Sequence, residues 1–238
     1  MNRNGVAWKG GFLLAGLGAG CAPAYRPPTA FVPLLREQGD GQIALHLGLG
    51  GAQLDGAYAA TGGLAVRTGV QVAGYVGEGA YTVGTLGAGA YGSSNHTAWG
   101  VSVIGGGGYA RGITEIGVNT PTISGGTDHA EVGWRNSGSL ATGALRAEIG
   151  THLGENGALG ANLGPTWHVL AHDAESDDTG SDQMVMLETA GVARGGVAPV
   201  MFEGSLGIAY PLWIAKGEGR VASLPFPVRL GIGLTFDL

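Results

Sequence analysis

Three groups of side chains in this chain have the types and spacing to do chemistry. The first is Asp128 with His129, together with His168 and His172 ahead of Ser176 and Ser181. On paper these supply the nucleophile, base and orienting acid of an acyl-transfer site. However, the chain has neither a Gly-x-Ser-x-Gly elbow to hold such a serine nor a His-Glu-x-x-His pair to hold zinc. Six histidines scattered between His46 and His172 read more simply as rim and loop residues. No catalytic residue is therefore assigned, and the expectation is a protein that is not an enzyme. The second group is the acidic run from His172 to Asp182, where Asp173, Glu175, Asp177 and Asp178 gather oxygens of the kind calcium takes. The run lacks the fixed glycine and the bidentate glutamate of an EF-hand loop. It reads as a solvated loop, with no metal or other cofactor expected.

The third group is defined by period rather than by clustering. Gln42, His46, Asp55, Arg67, Arg146, Glu148, Glu188, Glu203, Arg229 and Asp237 fall on the small-residue face of segments whose other face is apolar. If that face is enclosed, arginines and carboxylates must pair there, because a lone charge held away from water is costly. The simplest role is a polar plug that keeps the enclosure shut and in register. The competing one is a narrow lumen for ions or a small solute, given the space that Gly and Ala leave.

Positioning such a group requires strands. Ile43, Leu45, Leu47 and Leu49 share one face against Gln42, Ala44, His46 and Gly48. Near the C-terminus Val228, Leu230, Ile232, Leu234, Phe236 and Leu238 alternate with Arg229, Gly231, Gly233, Thr235 and Asp237. Segments of about ten residues that are apolar outward and small or polar inward are the mark of transmembrane β-strands. The spans predicted are 41–49, 51–60, 63–74, 80–92, 97–109, 139–151, 157–170, 183–194, 199–211 and 225–238, an all-β closed antiparallel barrel of about ten strands, with 8 or 12 as alternatives. The connections near 110–138, 170–183 and 212–224 are long and fall at one end, while those near 61–62, 93–96, 152–156 and 195–198 are short and fall at the other. This is the asymmetry of bacterial barrels. Tyr58, Tyr91 and Trp99 are expected in a girdle at the short-turn end, and Tyr75, Tyr81, Trp167, Tyr210 and Trp213 in one at the other.

Composition agrees with this reading. Of 238 residues, 49 are Gly, 13% are charged and 44% are hydrophobic, with no three-residue glycine period, which sets aside collagen and disordered chains. A formal charge of −6 excludes the basic face that nucleic acid selects. One cysteine excludes a disulfide framework and a thiolate metal site.

That cysteine, Cys21, follows Arg3, Lys9, the apolar stretch Gly11 to Leu17 and the small residues Gly18-Ala19-Gly20. The order is that of a secretory leader, 1–20, too short to span a bilayer as a helix. A cysteine just after the cut resembles a bacterial lipoprotein, whose thiol carries a covalent lipid; an ordinary leader cut nearby would leave Cys21 a spare thiol. Residues 21–40 are proline-rich and read as an extended periplasmic tether, with the barrel proper at 41–238.

A wider resemblance runs through Cys21-Ala22-Pro23-Ala24-Tyr25-Arg26-Pro27-Pro28, Val32-Pro33-Leu34-Leu35, Gln38-Gly39-Asp40 and Gly56-Ala57-Tyr58-Ala59. These motifs resemble those of small outer-membrane β-barrel lipoproteins of Gram-negative bacteria, a group without an assigned activity. The likeness covers the first hundred residues best. It implies the barrel, the lipid on Cys21 and the bacterial outer membrane. The expected partners are outer-membrane lipid, the barrel assembly and lipoprotein sorting machineries and, from the charge and placement of the acidic loop, divalent cations that bridge lipopolysaccharide. The oligomeric state stays open. Leu234, Phe236 and Leu238 resemble the C-terminal insertion signal of such barrels. The expected role is structural or surface interaction with a largely plugged lumen. A narrow channel is the alternative and an outer-membrane hydrolase a distant third; a soluble lipid-anchored barrel would require the outward strand faces to pack on each other.

Overall fold

The computed structural model describes residues 28–74, 80–121, 127–154, 156–173, 180–215 and 228–238; side chains of 112–136 are not described. Among the described residues there is no helix. Ten strands, β1 (Gly41–Gly48), β2 (Gly51–Thr61), β3 (Leu64–Gly74), β4 (Ala80–Ser94), β5 (Thr97–Pro121), β6 (Thr127–His152), β7 (Gly157–His172), β8 (Ser181–Val197), β9 (Val200–Ala215) and β10 (Val228–Asp237), follow one another around a closed antiparallel barrel. Each strand pairs with its sequence neighbours. β1 closes on β10 with Gln42 opposite Asp237 and Gly48 opposite Gly231. Within the barrel wall closure gives every strand a neighbour on both sides, which is how a sheet with an apolar outer face avoids association through its edges.

Ten strands in the expected order match the alternation, and eight of them lie within a few residues of the expected spans. β5 and β6 are corrected. Residues 110–138 were expected as a long connection, but β5 runs on to Pro121 and β6 begins at Thr127. The pairing of β5 with β4 ends at Arg111, and that of β6 with β7 begins at Gly138. Beyond that rim Gly112 to Pro121 pair only with Asn136 to Thr127, as a free two-stranded ribbon. A span limited to the length that crosses hydrocarbon truncates such a hairpin, because nothing in period two marks where the sheet loses its other neighbours.

The barrel has two ends. Turns at 62–63, 95–96, 153–156 and 198–199 mark the turn end, and the ribbon with the connections 173–180 and 216–227 marks the loop end. Alternation sends one set of side chains outward, where Leu86 is 70%, Val103 66%, Phe202 72% and Ile232 68% exposed. A soluble protein rarely leaves so continuous an apolar band uncovered. The aromatic expectation holds in part. Tyr58, Trp99, Trp167, Tyr210 and Trp213 are outward and exposed. Tyr81 and Tyr91 are corrected: both are buried inside, Tyr91 donating its hydroxyl to the Thr61 carbonyl (2.8 Å). Their odd positions on β4 share parity with the inward Val83, and parity outranks nearness to an end. Tyr75 lies outside the described residues.

Candidate functional site

The lumen holds a second piece of chain. Residues 28–35, expected as part of an external tether, run inside the barrel, with Thr29, Ala30, Phe31, Val32, Leu34 and Leu35 all buried. Phe31 and Leu35 pack on Ala44, Ala57, Ala59, Ala65 and Tyr91 on one wall. Ala30, Val32 and Leu34 pack on Ala98, Ala158, Ala190 and Val192 on the other. Alternate residues of an extended segment thus serve opposite walls, the geometry of a strand without sheet partners.

Such a segment carries peptide groups into an enclosed space, and each must find a partner. Wall side chains provide them. Arg229 Nε donates to the Pro28 carbonyl (2.8 Å), Arg67 to that of Phe31 (3.2 Å) and Arg194 to that of Val32 (2.8 Å). Gln42 Oε1 accepts from the Leu34 amide (3.0 Å), and Thr29 and Gln53 bond each other. The guanidiniums of Arg67 and Arg194 also lie 5.7 and 5.8 Å from the Phe31 ring centroid, within the range of a cation–π attraction.

The arginines that hold the segment are themselves neutralised. Glu203 accepts from Arg194 Nε (2.6 Å), His46 Nε2 (2.7 Å) and Thr235 Oγ1 (2.8 Å), while the other His46 nitrogen is 3.4 Å from Asp55. Arg67 bonds Glu148 and Ser102. Glu188 meets Arg146 at 3.2 Å and Arg229 at 3.5 Å. Four guanidiniums, those of Arg67, Arg146, Arg194 and Arg229, therefore share the enclosure with four carboxylates: Glu148, Glu188 and Glu203, which they contact, and Asp55, which stands beside His46. A balanced set costs less to enclose than any one of its members alone. Toward the loop end a small cavity, lined by Gln53, Asp55, Arg67, Arg146, Thr166 and His168, separates the segment from an apolar layer that includes Tyr81, Leu140, Leu170 and Met186.

The residues expected on the inner face, His46, Asp55, Arg67, Arg146, Glu148, Glu188, Glu203 and Arg229, lie inside the barrel in these networks, and Gln42 bonds Asp237 near the turn end (2.8 Å). Arg194 was missed. It shares parity with Glu188, Ala190 and Val192, and that signal was available, but its place at the end of the expected span hid it. Asp173 of the acidic run is fastened to the barrel rim, accepting from Ser137 (2.7 Å) and Tyr109 (3.0 Å), so one candidate metal-binding oxygen donor already serves the fold. Glu175, Ser176, Asp177 and Asp178, the leader, Cys21 and the side chains of Asp128 and His129 lie outside the described residues. Within the described set, His168 is inside the lumen and His172 stands 3.4 Å from Asp182. No metal-ligating group of three or more His, Cys, Asp or Glu occurs among the described residues. Of the C-terminal triplet, Leu234 and Phe236 are half-buried on β10 and Leu238 is exposed. Comparison with known protein families, with curated proteins and with solved structures finds no match.

Proposed function

We propose that this chain is a lipid-anchored β-barrel of the bacterial outer membrane, closed by its own N-terminal segment, with a structural and surface-interaction role rather than a transport one. The observation that carries the reading is the buried segment 28–35, its carbonyls bonded by Arg67, Arg194 and Arg229 on three separate strands. A conduit would not spend its enclosed polar groups on filling its own bore. The exposed apolar band supports burial in lipid, which accepts only helices and closed barrels. Surface interaction is favoured by the ribbon Gly112–Pro121 with 127–136, which extends about 33 Å past the rim at strand rise. The lipid on Cys21, and with it the assembly and sorting machineries, follows from the sequence resemblance, and contact with lipopolysaccharide through divalent cations from the charge of the acidic run 172–182.

The test is planar-bilayer conductance of refolded protein whose folding is confirmed by the mobility of unheated samples on a gel. The parent chain is expected to be silent, and a variant with residues 28–35 replaced by a Gly-Ser segment of equal length is expected to conduct. Discrete steps from the parent would make it a narrow channel. A folded but silent variant would move the closure from the segment to the wall side chains.

A further inference from the structure

The direction in which segment 28–35 crosses the lumen determines where the N-terminus leaves the barrel. Pro28 is held by Arg229, the second residue of β10, and Thr29 lies against Gly48 and Gly231 toward the loop end. Phe31 and Val32 are held at mid-lumen by Arg67 and Arg194. Leu34 bonds Gln42, at the start of β1. Arg36 then bonds the carbonyl of Asn95 and accepts from Ser93, both at the β4–β5 turn, before the chain folds back into β1. Read toward the C-terminus, the segment therefore descends from the loop end to the turn end, and its first described residue, Pro28, stands at the loop-end side of the lumen.

We infer that the N-terminus emerges among the long connections and the ribbon, so that a lipid on Cys21 sits in the membrane leaflet facing them, not in the leaflet at the turn end. This inference rests on the proposed lipid-anchored membrane barrel for the lipid, for which end faces outward and for the barrier outside the wall; the direction in which the strap leaves the lumen rests on geometry. Cys21 precedes Pro28 by seven residues, a reach of about 25 Å when fully extended. The segment from Pro28 to Leu35 uses the same number of residues to go from the upper lumen to the turn end. A return through the lumen is blocked by that buried segment and its wall contacts. A return along the outside would drag unpaired peptide groups through hydrocarbon about 25 Å tall, where each costs several kcal/mol. Prolines such as Pro23 and Pro27 favour extended backbone in a linker. The periplasmic tether expected from composition is thereby replaced by a strap that threads the barrel.

The experiment is labelling with a membrane-impermeant maleimide, in intact and in permeabilised cells, normalised to denatured protein. Three full-length reporters are used: Ala24→Cys before the strap, Asp177→Cys in the β7–β8 connection, and Asn156→Cys in the exposed β6–β7 turn. Ala24→Cys and Asp177→Cys are expected to label in intact cells, and Asn156→Cys only after permeabilisation. If Asn156→Cys labels in intact cells and the other two do not, the orientation reading fails while the threading stands. If Ala24→Cys behaves like Asn156→Cys against Asp177→Cys, or stays unlabelled until denatured, the inference is overturned. Adding Cys21→Ser, which removes any lipid, should leave the Ala24→Cys pattern unchanged, because wall contacts rather than the anchor set the exit.

Discussion

Glu203 is the residue whose loss should damage this barrel most. Its side chain is fully enclosed, and it accepts three hydrogen bonds, from Arg194, His46 and Thr235. Glu203→Ala would leave the Arg194 guanidinium, itself 3% exposed, with only the Val32 carbonyl and Gln42 as acceptors. Removing one member of a buried pair typically costs about 3–5 kcal/mol. Because Arg194 keeps two neutral acceptors and His46 keeps Asp55, the low end applies, about 3 kcal/mol, or roughly two decades in the folding equilibrium. At a urea dependence of about 1–3 kcal/mol per molar, the unfolding midpoint should fall by about 1–3 M, read as the folded fraction on unheated gels after equilibration in lipid vesicles. Replacing the pair together, Glu203→Leu with Arg194→Met, should recover most of the loss, since exchange of an enclosed ion pair for apolar groups is often neutral. A Glu203→Ala midpoint equal to that of the parent, or a double variant whose cost is the sum of the singles, would refute the view that this carboxylate neutralises the strap's anchor.

Two further outcomes probe the strap and the outward apolar band. A Cβ at Gly160 on β7 would stand 3.0 Å from Val32 Cγ1, so Gly160→Leu should displace the strap, give conductance in a barrel that still shows its folded mobility, and cost about 1–3 kcal/mol; a silent, fully stable variant would contradict the packing. Val103→Arg places a cation on the exposed apolar face of β5 and should cost about 2–4 kcal/mol in vesicles if that face meets the bilayer core. An unchanged midpoint would instead favour a soluble barrel.

The barrel was legible because a sheet with an apolar face outward and a small or polar face toward a lumen writes period two into every strand, as β1 and β10 display. What period two could not report is where a strand pair loses its neighbours, hence the ribbon of β5 and β6, or what fills the lumen. The strap escaped notice because its side chains serve both walls at once. Ala30-Phe31-Val32 and Leu34-Leu35 are apolar on both faces, and the prolines around them suggest a solvated linker equally well. The inner polar set was visible by parity, yet its function was not. Arg67 and Arg229 read as partners for carboxylates, whereas each also donates to a strap carbonyl that no local pattern announces.

The abundance of glycine takes on a specific meaning once the strap is in place. Gly48 and Gly231 lie against Thr29, Gly150 against Leu34 and Gly160 against Val32, on β1, β10, β6 and β7. A Cβ at Gly48 would come within 2.7 Å of Thr29 Cγ2, and one at Gly150 or Gly231 would overlap strap atoms outright. These glycines therefore open a groove along the inner wall for the strap's side chains, in the way glycine generally permits close approach of one chain to another. A ten-strand barrel filled by its own large side chains would not need that groove. A wall that combines the groove with guanidiniums placed at the carbonyls of Pro28, Phe31 and Val32 is matched to an extended peptide rather than to a diffusing solute. The occupant is the chain's own N-terminal segment. Because β1 both continues from the strap and closes on β10, seating the strap and completing the sheet are coupled events.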